Sequence, residues 1–138
     1  MAIRPLSLED RLDIQDLFAR YCLLVDQRKV DEWTALFTPD AVFDVPGLAR
    51  MAGSDQVRQI AQMVASKGEG LWRHQITNLL AEPGNSPDVA HVTMYSLVTD
   101  WHGAGAVSTF MDYSGRLRKI AGQWRIVELV AKPTKITV

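Results

Sequence analysis

A chain of 138 residues with 47% hydrophobic and 22% charged residues has the size and composition of one globular domain with an ordinary core. Fifteen basic against sixteen acidic residues leave a formal charge of −1 with no run of like charge, so neither nucleic acid nor an anionic membrane surface is expected as a partner. No stretch approaches the roughly 18 apolar residues that span a bilayer, the start has no apolar signal region, and Cys22 is the single cysteine; together these predict a cytoplasmic protein without a disulfide or a thiolate metal cluster.

Ser7 followed by Leu8-Glu9-Asp10 reads as a helix N-cap with acids in the first turn. Leu8, Leu12, Ile14, Leu17, Phe18, Tyr21, Cys22 and Val25 then recur at three- and four-residue spacing, which predicts an amphipathic helix over about 7–27. Cys22 lies on the apolar stripe and reads as a buried, inert thiol rather than a nucleophile. Gln27-Arg28-Lys29 ends this helix, and Asp31 is placed as the cap of a shorter one through Trp33, Leu36 and Phe37, stopped by Thr38-Pro39-Asp40. Ala41–Val45 is β-prone, Pro46-Gly47 signals a turn, and Leu48–Met51 returns as a partner strand. Gly53-Ser54-Asp55 opens a third helix with Val57, Ile60, Ala61 and Val64 on its apolar face, ending at Lys67-Gly68.

Four long β runs follow, at about 71–82, 88–101, 105–120 and 123–131, separated by turn-forming residues. Connections of hairpin size predict an antiparallel meander. The length of the strands, with Gly105 and Gly115, predicts a strongly curved sheet whose concave side the helices cap. The predicted class is therefore α+β, a cone-shaped barrel of antiparallel sheet capped by three helices from the N-terminal half, as one domain over 1–138. In the run 88–101 one face is His91, Thr93, Tyr95, Leu97, Thr99 and Trp101, and the other is Ala90, Val92, Met94, Ser96, Val98 and Asp100. Neither face is cleanly polar. A sheet apolar on both sides needs cover on its convex side, so a homo-oligomer, dimer or trimer, formed through the sheet is expected.

The order of elements, together with Ile14-Gln15-Asp16-Leu17-Phe18-Ala19-Arg20-Tyr21, Asp31-Glu32-Trp33-Thr34-Ala35-Leu36-Phe37-Thr38-Pro39-Asp40-Ala41-Val42-Phe43, His74 with Asn78 four residues on, and Gly122-Gln123-Trp124-Arg125-Ile126, resembles the SnoaL-like branch of the nuclear transport factor 2-like superfamily from Leu6 to about Ala131. The resemblance implies a cone with a deep pocket. That architecture serves dehydratases, isomerases, polyketide cyclases, epoxide hydrolases, non-catalytic oxygenase subunits and binding proteins, so fold does not assign the reaction.

Among the enzymes the chain most resembles scytalone dehydratase and its relatives, in which an aspartate ending the first helix orients a pocket histidine. Asp26 and His74 match those two positions. Two tyrosines polarise the substrate carbonyl in that family; the residues here at those positions are Val25 and Val45. A second family histidine falls near Thr99, with His102 the nearest histidine and out of register, and a serine and an asparagine fall near Met111 and Tyr113.

Asp26 lies one turn past Cys22 and two past Phe18, continuing the buried stripe, where a lone carboxylate is costly and a histidine partner removes the cost. The alternative is a carboxylate at the helix end turned to water. His74 shares strand parity with Ile76, Asn78 and Leu80, an apolar-rich face that fits either a pocket base or a hydrogen-bonded core histidine. Candidate pocket-wall residues are Tyr21, Trp72, Tyr95, Trp101, Phe110 and Tyr113, with Tyr21 and Tyr113 the candidates to replace the missing carbonyl-polarising hydroxyls. Asn78 is a candidate donor to a substrate oxygen or a partner in a strand-internal bond. His91 and His102 read as surface residues, and three scattered histidines without closely spaced carboxylates predict no metal site. The reading is a cofactor-independent lyase or isomerase, dehydratase- or cyclase-like, acting on a small apolar cyclic or polyketide-like substrate through Asp26 and His74. The alternative is a small-molecule-binding or accessory subunit without turnover.

Overall fold

The structure, a computed structural model, describes residues 4–134. The expectation of one domain over 1–138 extends at both ends to residues outside the described ones. Three helices and six strands follow in the order α1 (Leu8–Asp26), α2 (Val30–Thr34), β1 (Phe37–Val45), β2 (Ala49–Ala52), α3 (Ser54–Gly68), β3 (Trp72–Pro83), β4 (Val89–Asp100), β5 (Ala106–Ile120) and β6 (Gln123–Pro133).

Helix α1 starts where the Ser7 side chain accepts the Asp10 backbone N–H at 3.0 Å, with Glu9 and Asp10 in the first turn against the helix dipole. Its buried stripe is Ile14, Leu17, Phe18, Tyr21, Cys22 and Val25. Leu8 and Leu12, expected on that stripe, are 76% and 59% exposed. They lie off the face that Ile14 defines, and one turn before Ile14 the inward position belongs to Asp10, whose carboxylate takes hydrogen bonds from Lys119 Nζ at 2.9 Å and Trp124 Nε1 at 3.1 Å.

Helix α2 is shorter than expected and is capped by Lys29 without a side-chain bond. Asp31 sits inside its first turn and pairs with Arg58 of α3 rather than capping. Phe37 and the Thr38-Pro39-Asp40 segment belong to β1, where the pairing with β6 shifts register between Phe37 and Val42. Pro39 brings no backbone N–H, and an interruption of the ladder is where a strand tolerates that loss.

The sheet order is β2-β1-β6-β5-β4-β3. Strands β3 to β6 form the expected antiparallel meander, and the β1–β2 hairpin joins it through a parallel β1–β6 pairing that hairpin reasoning did not anticipate. Every strand pair except the β1–β2 hairpin carries a register shift, the kind of bulge that bends and twists a ladder. Gly115 is needed for close packing of β5 on β6, because a Cβ there would meet the Glu128 carbonyl at 2.9 Å. In β4 the even-numbered set Ala90, Val92, Met94, Ser96 and Val98 is buried beneath the helices, and the odd-numbered set faces outward.

In β3 the expected parity fails at one place. The β3–β4 pairing shifts between Thr77 and Leu80, and Asn78 adopts φ +57 there. The extra residue reverses the alternation, so that His74 and Ile76 point inward before the bulge and Leu79 and Ala81 after it, leaving Leu80 53% exposed.

Candidate functional site

Asp26 is the last residue of α1 and His74 the third of β3, and the packing of α1 across the start of β3 brings them together. Asp26 Oδ2 accepts the His74 backbone N–H at 2.9 Å, and Oδ1 lies 2.6 Å from His74 Nδ1. Both side chains are sheltered, at 9% and 10% exposure. A carboxylate offers only acceptors, so Nδ1 is the ring nitrogen that donates to it, and Nε2 is the one left facing away from Asp26.

His74 stands in the wall of a partly open cavity of about 300 Å³ lined from α1, α2, α3 and the sheet. The lining is mostly apolar and includes Val25, Trp33, Phe43, Val45, Met51, Met63, Trp72, Val98 and Met111. Asp26 does not line it. The carboxylate lies behind the imidazole and borders an outer groove with Leu23, Arg28 and Arg73. The cavity's polar side chains are His74, Tyr21, Tyr113, Ser96, Ser108 and Thr109.

Tyr21 of α1 and Tyr113 of β5 meet inside, hydroxyl to hydroxyl at 3.2 Å, with their rings edge to face. Burial, and then the neighbouring Tyr113, push the Tyr21 phenol well above its ordinary range. Burial also raises Tyr113, against the opposing hydrogen bonds of Tyr21 and Ser96. Both phenols therefore remain protonated and able to donate. Cys22, one turn before Asp26, is pushed up to about 12 by burial and by the nearby Asp26 carboxylate, in keeping with the inert thiol expected. The indole N–H groups of Trp33 and Trp72, both in the cavity wall, have no hydrogen-bond acceptor among the described residues.

Of the residues singled out in the sequence, Tyr21, Val25, Val45, Trp72, His74 and Tyr113 line the cavity, as does Met111. Asn78, Tyr95 and Thr99 do not. Asn78 is carried out of the inner face by the β3 bulge. Tyr95 belongs to the outward set of β4, is 42% exposed and packs on Phe110 at 5.7 Å between ring centres. Thr99 is also on the outward set and accepts a hydrogen bond from Trp101 Nε1 at 2.9 Å. Trp101 and Phe110 likewise lie outside the cavity wall. His91 is exposed on β4, and His102 is held at the surface by Asp100 and Glu69. The Asp100 hydrogen bond is the main cause that raises the His102 imidazole above its ordinary range.

Sequence reasoning missed Trp33, Phe43, Met51, Met63, Ser96, Val98, Ser108 and Thr109 as cavity residues. For Ser96 a signal existed: it is the single hydroxyl between Met94 and Val98 on the apolar face of β4. Among the described residues no three His, Cys, Asp or Glu side chains come together to hold a metal ion, and no helix is long and apolar enough to cross a membrane.

Comparison with known proteins gives one family. A model described as a SnoaL-like domain matches residues 6–130. An uncharacterized protein of Mycobacterium tuberculosis is 41% identical over 47 residues, a stretch that spans 34% of this chain and only 32% of the relative. The solved structure of an aspartate-to-asparagine variant of a Mycobacterium tuberculosis protein of unknown function is 30% identical, with a TM-score of 0.80 over 93% of this chain and 73% of that one. A candidate scytalone dehydratase from Novosphingobium aromaticivorans shares the fold at a TM-score of 0.83 and 19% identity, over 94% of this chain and 87% of that one.

Proposed function

The chain belongs to the SnoaL-like domain family, and from that premise we propose that it is a cofactor-independent lyase or isomerase for a small, mostly apolar cyclic or polyketide-like compound, with His74 as general base. The observation that carries this reading is the Asp26–His74 pair in the wall of an apolar cavity. Asp26 holds the ring by its backbone and by Nδ1, which fixes the tautomer and leaves the Nε2 lone pair as the ring's acceptor. In this reading Nε2 takes a proton from a carbon made acidic by a carbonyl, Asp26 stabilises the imidazolium, and the proton returns to a departing hydroxyl or to a second carbon. Apolar walls keep competing water away from the carbanion-like intermediate.

General acid–base help of this kind is worth about 10²–10⁴-fold, sufficient for an already acidified C–H bond. The test is a screen of cyclic hydroxy-ketones for loss of water or a double-bond shift, followed by His74→Asn and Asp26→Asn. Turnover that survives both substitutions within a few-fold would remove the mechanism.

The second reading is a binding or accessory module, favoured by the cavity-wall valines Val25 and Val45, which leave the wall apolar where scytalone dehydratase relatives carry tyrosines. Titration of His74 by NMR discriminates. An imidazole coupled to Asp26 and displaced from the ordinary value of about 6.5 suits the enzyme, and a solvent-like value suits the binder. We also propose that residues 1–138 unfold as one domain and that copies associate through the outer face of the sheet, as a dimer or trimer; a single calorimetric transition checks the first point.

A further inference from the structure

We infer that the outer groove behind the Asp26–His74 pair is a second ligand site, separate from the cavity, which takes the carboxylate of a small, partly apolar acid between Arg28 and Arg73. The site stands whether or not His74 is a general base.

The groove is lined by Leu23, Asp26, Gln27, Arg28, Gly70 and Arg73. Arg28 follows the end of α1 and Arg73 is the second residue of β3, and both side chains reach one turn residue, Gly70. Arg73 Nη1 donates to the Gly70 carbonyl at 2.8 Å. The Arg28 guanidinium lies over the Gly70 α-carbon, its Nε, Cζ and Nη2 atoms 3.7 to 3.8 Å from where a Cβ would stand. Backbone geometry keeps this arrangement. Arg28 has φ +61 and Gly70 φ +77, both in the left-handed region, which an arginine rarely adopts.

The ordinary tasks of basic side chains at a helix end do not account for the pair. Neither arginine is in an ion pair with a carboxylate among the described residues. The last-turn carbonyls of α1, the usual acceptors for a basic residue, are already taken: Leu23, Leu24 and Val25 accept the backbone N–H groups of Gln27, Lys29 and Arg28. Asp26, the one carboxylate in the groove wall, uses both oxygens on His74. Glu69, beside Gly70 in the chain, is turned to His102 at 3.4 Å.

Charge and shape then set the ligand class. Two guanidinium charges share the groove with one carboxylate charge, which leaves one positive charge uncompensated. A monoanion balances it, and a dianion overshoots. The planar forks of two arginines match the two oxygens of a carboxylate. Leu23, 57% exposed in the same wall, offers apolar contact to the carbon part of such an acid. Arg28 and Arg73 are both exposed to water, so the affinity is modest, with a dissociation constant on the order of 1 mM at low salt.

The test needs binding alone. The Nε–H signals of Arg28 and Arg73 are followed by NMR near pH 6.5 and low ionic strength as benzoate is added, with benzamide, sulfate and chloride as comparisons. Benzoate should shift both signals to saturation. Benzamide, which has the ring without the charge, should shift neither, and sulfate and chloride should bind at least about tenfold more weakly. Arg28→Gln and Arg73→Gln should each weaken benzoate binding about tenfold, and the wild-type comparison decides by itself if a variant fails to fold. Benzoate shifts confined to cavity residues such as Met111, arginine signals that chloride moves equally, or benzoate binding that survives both substitutions overturns the proposal. Sulfate that binds more tightly than benzoate overturns it as well, because the charge count then fails. None of these outcomes touches the general-base reading, which turnover after His74→Asn tests separately.

Discussion

Asp26 grips His74 at two points, its Oδ2 on the backbone N–H at 2.9 Å and its Oδ1 at 2.6 Å from the ring Nδ1. One carboxylate thereby fixes the strand that carries the imidazole and the orientation of the imidazole itself. It also fastens the end of α1 to the start of β3. Replacing Asp26 by Asn leaves one acceptor for two donors and sets an amide N–H₂ against one of them. Hydrogen bonds to a charged partner are worth about 1.5–3 kcal/mol, so Asp26→Asn should lower stability by about 2 kcal/mol in urea unfolding and abolish the downfield Nδ1 proton signal of His74. An unchanged midpoint with the signal retained would mean that the two-point contact is not maintained in solution.

Cys22 supplies a pH prediction whose sign follows from burial. Its thiol is pushed up to about 12 in the folded chain from an ordinary 9.0. Between those values the folded state holds a proton that the unfolded state has released, so stability is fully present below about pH 9 and declines as pH rises toward 12. In the same window a thiol reagent such as Ellman's should modify Cys22 slowly in the native protein and rapidly in urea. Equal rates in both states would show that the thiol is not sheltered.

Asp10 joins the first turn of α1 to the β5–β6 hairpin through Lys119 and Trp124. Burial opposes its ionisation, but the hydrogen bonds of Lys119, Trp124 and Ser7 outweigh it and hold the carboxyl below its ordinary value. A depressed carboxyl stabilises the fold above the unfolded value and loses that contribution as pH falls through the folded one. Asp10→Ala should cost about 1–2 kcal/mol at pH 7, with the difference from wild type shrinking under acid conditions, where both lack the charge. Thermal melts of both proteins between pH 7 and pH 2.5 check the convergence.

Tyr95 and Phe110 pack with tilted rings on the outward face of the sheet, to which Leu80 and Val107 also present exposed apolar side chains. If copies of the chain cover this face, Tyr95→Glu places an unpaired charge in the joint and should convert the oligomer to monomer in sedimentation at micromolar concentration, with cavity ligand binding retained. A wild-type protein that sediments as a monomer removes the oligomer.

Patterns local to one element were readable from the residues themselves. The 3.6-residue stripe of α1 from Ile14 to Val25 carried Asp26 to the sheltered side, the alternation in β4 separated its inner and outer faces, and the turn residues marked the four-strand meander. Decisions that depend on how elements meet were not. The bulge at Asn78 turned a predicted ligand donor away from the inner face, because one extra residue in a strand reverses every side chain after it; its one local mark was the asparagine itself, a residue tolerant of the left-handed conformation. The parallel join of β1 to β6, and a cavity wall drawn from Trp33 of α2, Met51 of β2, Met63 of α3 and Ser96 of β4, depend on how separate elements pack together. The meeting of Tyr21 with Tyr113, ninety-two residues away, is of the same kind. Periodicity tells a side chain which way to face; only the packing of one face on another determines what it meets there.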